Sequence, residues 1–269
     1  MTAHDIQSLI QAVTRWIHVV AAILWVGQTY LLIFFERHLK AQAGATGDVK
    51  GVPWMIHGGG YYYLEKQGFS ASTPDKLHWF MWEATVTWIT GAILMGMIYY
   101  KESMLIEMDE MSYAVGAISG LGVIIGGFLL YSIVLRTPIA RNGFAMVVLG
   151  LIGVAAAHYG LLQVQSTRSA FVHVGAAVGT IMAFNVLMGI IPAQKKILKD
   201  LAEGRDPDPR VTALGPLRSK HNSYLAIPLV FIMTSNHYPT ISYGSDHSTW
   251  ILTGIVAIGF GAAAWLRGR

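Results

Sequence analysis

Residues 12–35 read AVTRWIHVVAAILWVGQTYLLIFF, a run whose only formal charge is Arg15. As a helix rising 1.5 Å per residue it would be about 36 Å long, enough to cross the roughly 30 Å hydrocarbon core of a bilayer. The run is too long for the apolar core of a secretory signal and lacks an A-x-A-like cleavage site. It also runs directly into Glu36-Arg37-His38-Leu39-Lys40, so it reads as a retained helix. Six further segments have the same character, about 78–100, 112–135, 143–164, 169–192, 221–239 and 248–266. The whole chain agrees: 54% of its 269 residues are hydrophobic and 13% charged, against roughly 25% charged in a soluble domain. The reading is an all-α integral membrane protein, one domain over 1–269, with seven transmembrane helices.

Lys and Arg orient the bundle, because cytoplasmic loops hold their excess. Sixteen of the nineteen fall in the first, third and fifth connections and the C-terminal tail. Only Arg15, Lys101 and Arg168 fall on the other side. This predicts the N-terminus outside, the C-terminus cytoplasmic, and cytoplasmic loops at 37–77 and 193–220. The first loop contains His57-Gly58-Gly59-Gly60 followed by Tyr61-Tyr62-Tyr63, a segment suited to a lid or an interfacial anchor at the membrane surface. The partner implied by composition is the lipid bilayer, with no nucleic acid.

The chain has no cysteine and ten histidines. The first excludes disulfides, thiolate metal sites and a covalently attached c-type haem; any cofactor uses nitrogen or oxygen ligands. Depth along the expected spans sorts the histidines. His18, His158, His173 and His237 fall within roughly two turns of the outer surface, on four helices. His78 and His221 fall at the inner ends of the second and sixth. His4, His38, His57 and His247 lie outside the spans or at their edges. A single intramembrane histidine, such as His158, reads most simply as a hydrogen-bonded neighbour. A set at two depths points to axial ligation, since b-type haem takes neutral imidazoles from different helices and cations near its propionates. His18, His78, His173, His221 and His237 are the candidate ligands to haem iron, and Arg15 and Arg168 the candidate outer propionate partners. His221 and His237 are sixteen residues apart, about 24 Å of helical rise, which suits one ligand to each of two haems b. A mononuclear or binuclear metal site among the outer histidines fits the residue types equally well.

Glu83 is the one carboxylate well inside a span. It reads either as a proton relay or catalytic base, or as a hydrogen-bonding partner of a histidine. Asn185, Ser235-Asn236 and the Gly175/Gly179 pair beside His173 have bland readings as helix joiners. A retinal protein is excluded, because 248–266 contains no Schiff-base lysine. A transporter is disfavoured by the absence of an internal repeat.

These residues also carry a resemblance. Arg15-Trp16-Ile17-His18 with Trp25-Val26-Gly27, Leu77-His78-Trp79-Phe80 with Trp82-Glu83-Ala84 and Thr87-Trp88, His173-Val174-Gly175-Ala176 with Gly179-Thr180-Ile181-Met182 and Asn185-Val186, and Arg218-Ser219, His221-Asn222 and Ser235-Asn236-His237-Tyr238-Pro239 occur in this order. Together they resemble the PuuD-type urate hydroxylase family, the urate oxidase N-terminal membrane domain, over about residues 10–240. The resemblance implies a bacterial inner-membrane oxidoreductase that converts urate to 5-hydroxyisourate and passes electrons toward a periplasmic cytochrome c. Relatives are expected to carry a fused cytochrome c domain, which this chain lacks, and a lysine where it has Met81. The expected partner is therefore a separate periplasmic cytochrome c. The alternative is a non-catalytic haem b subunit, for electron transfer or anchoring, among the subunits of a respiratory complex.

Overall fold

The structure, a computed structural model, describes residues 2–39, 49–69, 76–101, 104–106 and 112–268. Its helices are α1 (Ala3–Arg37), α2 (Trp82–Met95), α3 (Tyr113–Val134), α4 (Gly143–Leu162), α5 (Thr167–Phe184), α6 (Ile191–Ala202), α7 (Pro209–Thr234) and α8 (Ser248–Gly268). A π-helical turn, Gly96–Lys101, prolongs α2, and another, Asn185–Ile190, joins α5 to α6 in one rod, so the described residues form seven rods. Five of them, α1, α3, α4, the rod 167–202 and α8, are long and apolar enough to cross a membrane. The chain is a multi-pass membrane protein.

The rods begin and end at places hydropathy does not mark. Thr2 and Asp5 form a capping box that starts α1 at Ala3, well before residue 12, and this puts His18 near the middle of its helix. Asp208 caps α7 with Pro209 behind it, so His221 lies deep inside α7, while α7 ends at Thr234 and leaves His237 in the short 3₁₀ turn Ser235–His237. α2 starts at Trp82, which leaves His78 in the non-helical lead-in. Lys40 and Arg269, two of the residues in the charge asymmetry, lie outside the described residues.

The loop after α1 is not helical or featureless. β1 (Val49–Gly51) pairs antiparallel with β4 (Lys66–Gln67), and β2 (Trp54–His57) with β3 (Gly60–Tyr63). Gly58 and Gly59 both have positive φ, 60° and 83°, the requirement of a tight two-residue hairpin turn that favours glycine. Lys66 pairs with Glu36 and ties this unit to the end of α1.

α1 and α2 form an antiparallel pair, shown by contacts that run in opposite directions: Lys101 Nζ donates to Gln7 Oε1 (3.1 Å), His18 meets Thr87 and Gln28 meets Glu83. α3 and α5 run parallel, with Gly120 against His173, Phe128 against Phe184 and Tyr131 against Asn185. In lipid the solvent is as apolar as the side chains, so close packing and polar links hold helices together. Pro228 of α7 accordingly sits on Gly259 of α8, and Ile232 and Met233 on Gly175. Val154, Leu161, Phe171, Ile232, Leu252 and Phe260 fill the core between α4, α5, α7 and α8.

Candidate functional site

Two buried polar clusters and one half-open histidine hold His173, His221 and His18, while His78, His237 and Glu83 lie outside them. At one end of α5, His173 is fully buried. Its Nδ1 lies 2.9 Å from the Ser169 carbonyl and its Nε2 2.9 Å from the Tyr100 hydroxyl. A carbonyl only accepts, so Nδ1 carries the hydrogen and Nε2 accepts from Tyr100. The π-helical turn of α2 brings Tyr99 and Tyr100 edge-on to this ring, at 5.8 and 5.7 Å between centroids. Gly120 of α3 makes room, for a Cβ there would stand 2.6 Å from His173 Cδ2. The charges of Arg168 and Arg15 both reach the Tyr99 phenol. Arg168 Nε donates to Asn236 Oδ1 at 2.9 Å. Arg15, Arg168, His173 and the segment of His237 thus meet at one end of the bundle, with His237 itself exposed.

A second cluster links α3, α5 and α7. His221 Nε2 donates to the Ala140 carbonyl (3.0 Å), and Nδ1 accepts from the Tyr131 hydroxyl (2.9 Å). Asn185 Nδ2 donates to the Tyr131 oxygen (2.8 Å) and to Asn222 Oδ1 (2.9 Å), and Arg218 Nη1 donates to Asn185 Oδ1 (2.9 Å). Asn185 opens the second π-helical turn. Pro192 follows that turn; its missing N–H and its ring both disturb the carbonyl of Met188, four residues earlier, which favours a local widening. The Arg218 guanidinium lies flat on Gly189, its Nε has no hydrogen-bond partner, and among the described residues it makes no ion pair.

His18 differs from both. Its Nδ1 donates to the Thr87 carbonyl (2.9 Å), with Thr90 Oγ1 at 3.1 Å, and its ring packs on Gly91. Among the described residues no hydrogen bond reaches its Nε2. Histidines that bind metal or haem iron are usually held in this way, with one ring N–H on a carbonyl and the other nitrogen left to the metal. His18 therefore fits an axial ligand as it stands, and His173 fits once Tyr100 gives way. His221 is oriented oppositely, with Nε2 already given to a carbonyl. His158, fully buried, places Nδ1 2.9 Å from Thr249 Oγ1 and has an unpartnered Nε2. It is packed edge-on against Phe171. His78 is exposed and touches Phe80 edge-on. Contacts on α2 separate His18, at Thr87 to Gly91, from His173, at Tyr99 and Tyr100, by about 15 Å of rise. They are therefore not at one depth. Among the described residues no three His, Asp or Glu side chains converge as a metal ion would require.

Glu83, half-buried, accepts from Gln28 Nε2 at 3.0 Å and bonds no histidine. It lines a cleft of about 310 Å³ with Trp16, Ile17, Val20, Ala21, Leu24, Trp82 and Val86. Tyr100, Tyr131, Thr249 and Gln28 were not among the predicted site residues. Tyr131, alone in a long apolar helix, was the one legible signal.

The chain matches the family described as Urate oxidase N-terminal over residues 4–269. It belongs to that family. No curated protein and no solved structure matches it. Within the urate oxidase N-terminal family, then, this chain combines a half-open histidine on α1 with two histidines whose ring nitrogens are both committed.

Proposed function

We propose that the chain is a haem b protein of the bacterial inner membrane, N-terminus outside, that oxidises urate to 5-hydroxyisourate and delivers the electrons to a separate periplasmic cytochrome c. Membership of the urate oxidase N-terminal family supports urate as the substrate. The observation that carries the redox reading is His18, whose Nδ1–H is fixed on the Thr87 carbonyl while Nε2 has no hydrogen bond among the described residues. His173 is the ligand proposed for a second haem, with Arg15 and Arg168 for its propionates.

The overall change, urate plus water to 5-hydroxyisourate plus two electrons and two protons, requires three things of the protein. Haem, when bound, accepts electrons one at a time. Urate is a monoanion at neutral pH and needs a cation; Arg218, half-buried and without an acidic partner, is the anchor this reading assigns. A proton must also be taken up. The Tyr131 hydroxyl can receive it while passing its own hydrogen to His221 Nδ1, and the Ala140 carbonyl on Nε2 holds the resulting imidazolium. The apolar cleft around Glu83 disfavours an anion, so Glu83 is assigned no urate proton.

Purified protein examined in pyridine under reducing conditions is expected to show protohaem, and urate is expected to reduce it. A colourless preparation from haem-supplied cells overturns the proposal. Haem that urate leaves oxidised, in a protein that co-purifies with a stable partner, replaces it with the electron-transfer subunit.

A further inference from the structure

The cleft between α1 and α2 is not used by this mechanism. Its wall follows α1 from Trp16 to Leu24, about 12 Å of rise, and α2 from Trp82 to Val86. Trp16 and Trp82 are 69% and 62% exposed, so in a bilayer the cleft opens on lipid rather than on water. One carboxylate in such a wall is costly, and Glu83 has the N-terminus of α2 and the Gln28 amide to offset that cost. Ile17 and Val86, both in the wall, are the chain neighbours of His18 and Thr87, the pair that orients the unshared Nε2. The cleft is large enough for a small ring, has the Trp82 indole next to Glu83 to stack on it, and offers one group that exchanges protons.

We infer that this cleft binds the ring of a lipid-soluble quinone, with Glu83 as its hydrogen-bonding and proton-exchanging partner and the tail leaving between Trp16 and Leu24 into the bilayer. The inference rests on the redox reading above for its electrons and makes the quinone an alternative acceptor to the cytochrome c for each pair of them. Urate and water release two electrons and two protons. A quinone takes up the same two electrons and two protons to become a hydroquinone, so urate, water and quinone balance against 5-hydroxyisourate and hydroquinone. Glu83 passes the protons one at a time and is reprotonated between them. A phospholipid acyl chain would fill the same length but has no use for the carboxylate.

The test uses the full chain in nanodiscs without urate, with decylubiquinone as a quencher of tryptophan fluorescence. A saturable phase is expected. Val20→Phe, which fills the cleft from its lipid side, should weaken it at least tenfold, Glu83→Gln several-fold, and Ile118→Phe on the remote lipid face of α3 not at all. Excess decyl alcohol should not displace the quinone. Quenching that rises without saturation, equally in all variants, or displacement by decyl alcohol, overturns the inference. Saturable quinone binding in a protein whose haem urate does not reduce removes the urate reading and leaves the quinone site; urate-reducible haem without saturable binding does the reverse.

Discussion

In the α1–α2 pair and the α5–α7 core, two equally apolar rods, α1 and 167–202, are packed differently. The most apolar window of α1 is 6% buried, that of the rod 167–202 is 56%. In the core, His173 and His221 have both ring nitrogens committed to protein groups. In the loose pair, His18 has one nitrogen held and one open. Dense packing has consumed the ring nitrogens of these two histidines, since an unpaired buried polar group is costly, although His158 Nε2 and Arg218 Nε remain unpartnered there; the lightly covered helix pair has a cleft beside its histidine.

That contrast can be broken most directly at the histidines. His18→Ala should lower the haem content of purified protein by about tenfold or more, as loss of a ligand does, measured by pyridine haemochromogen. Tyr100→Phe, which only frees His173 Nε2, should leave it unchanged or higher. Haem lost from Tyr100→Phe and kept in His18→Ala would reverse the comparison. Next in size is Asn185→Leu, which strips partners from Tyr131, Asn222 and Arg218 at once. It should cost about 3 kcal/mol, read from thermal unfolding in detergent, whereas Gln28→Leu in the loose pair should cost under about 1 kcal/mol.

Smaller still is the steric contrast. Gly120→Ala forces a methyl against His173 and the Gln165 amide, 2.6 Å from each, and should cost about 1–3 kcal/mol. Gly27→Ala in α1 meets nothing within 4 Å and should be neutral or slightly stabilising. The smallest effect lies away from the histidines of both regions. At the end of α6, hydrogen bonds from Arg205 and Lys196 hold the Asp200 carboxyl below its ordinary range. A lowered folded-state pKa gives stability that is present above the unfolded carboxyl's pKa and lost as the pH falls through the folded value. Wild type should therefore exceed Asp200→Asn slightly in unfolding temperature at pH 7, with the gap closing on acidification.

Residues such as Arg15, His18, Glu83, Asn185 and His221 could be singled out from sequence because each is polar within an apolar run, and lipid makes such residues conspicuous. Their pairing was not legible. A hydropathy window places the start of the first span at residue 12, but Thr2 and Asp5 begin the helix at Ala3, and that moves His18 from an outer layer to the middle of α1. The π-helical turns that aim Tyr100 and Asn185 leave no periodic trace in sequence. The hairpin at Gly58-Gly59 had its glycines in view, yet its strands lie within a loop too short and mixed to show alternation.

By itself the sequence determined a helical membrane bundle, its family and the absence of any cysteine thiolate, because length, apolar content and residue type answer those questions locally. Tertiary structure decided how each histidine's ring nitrogens are shared, that Glu83 faces a lipid-facing cleft and that Arg218 joins the Asn185 network. Those outcomes depend on what stands three ångströms away across a helix interface, and chain distance carries no record of it.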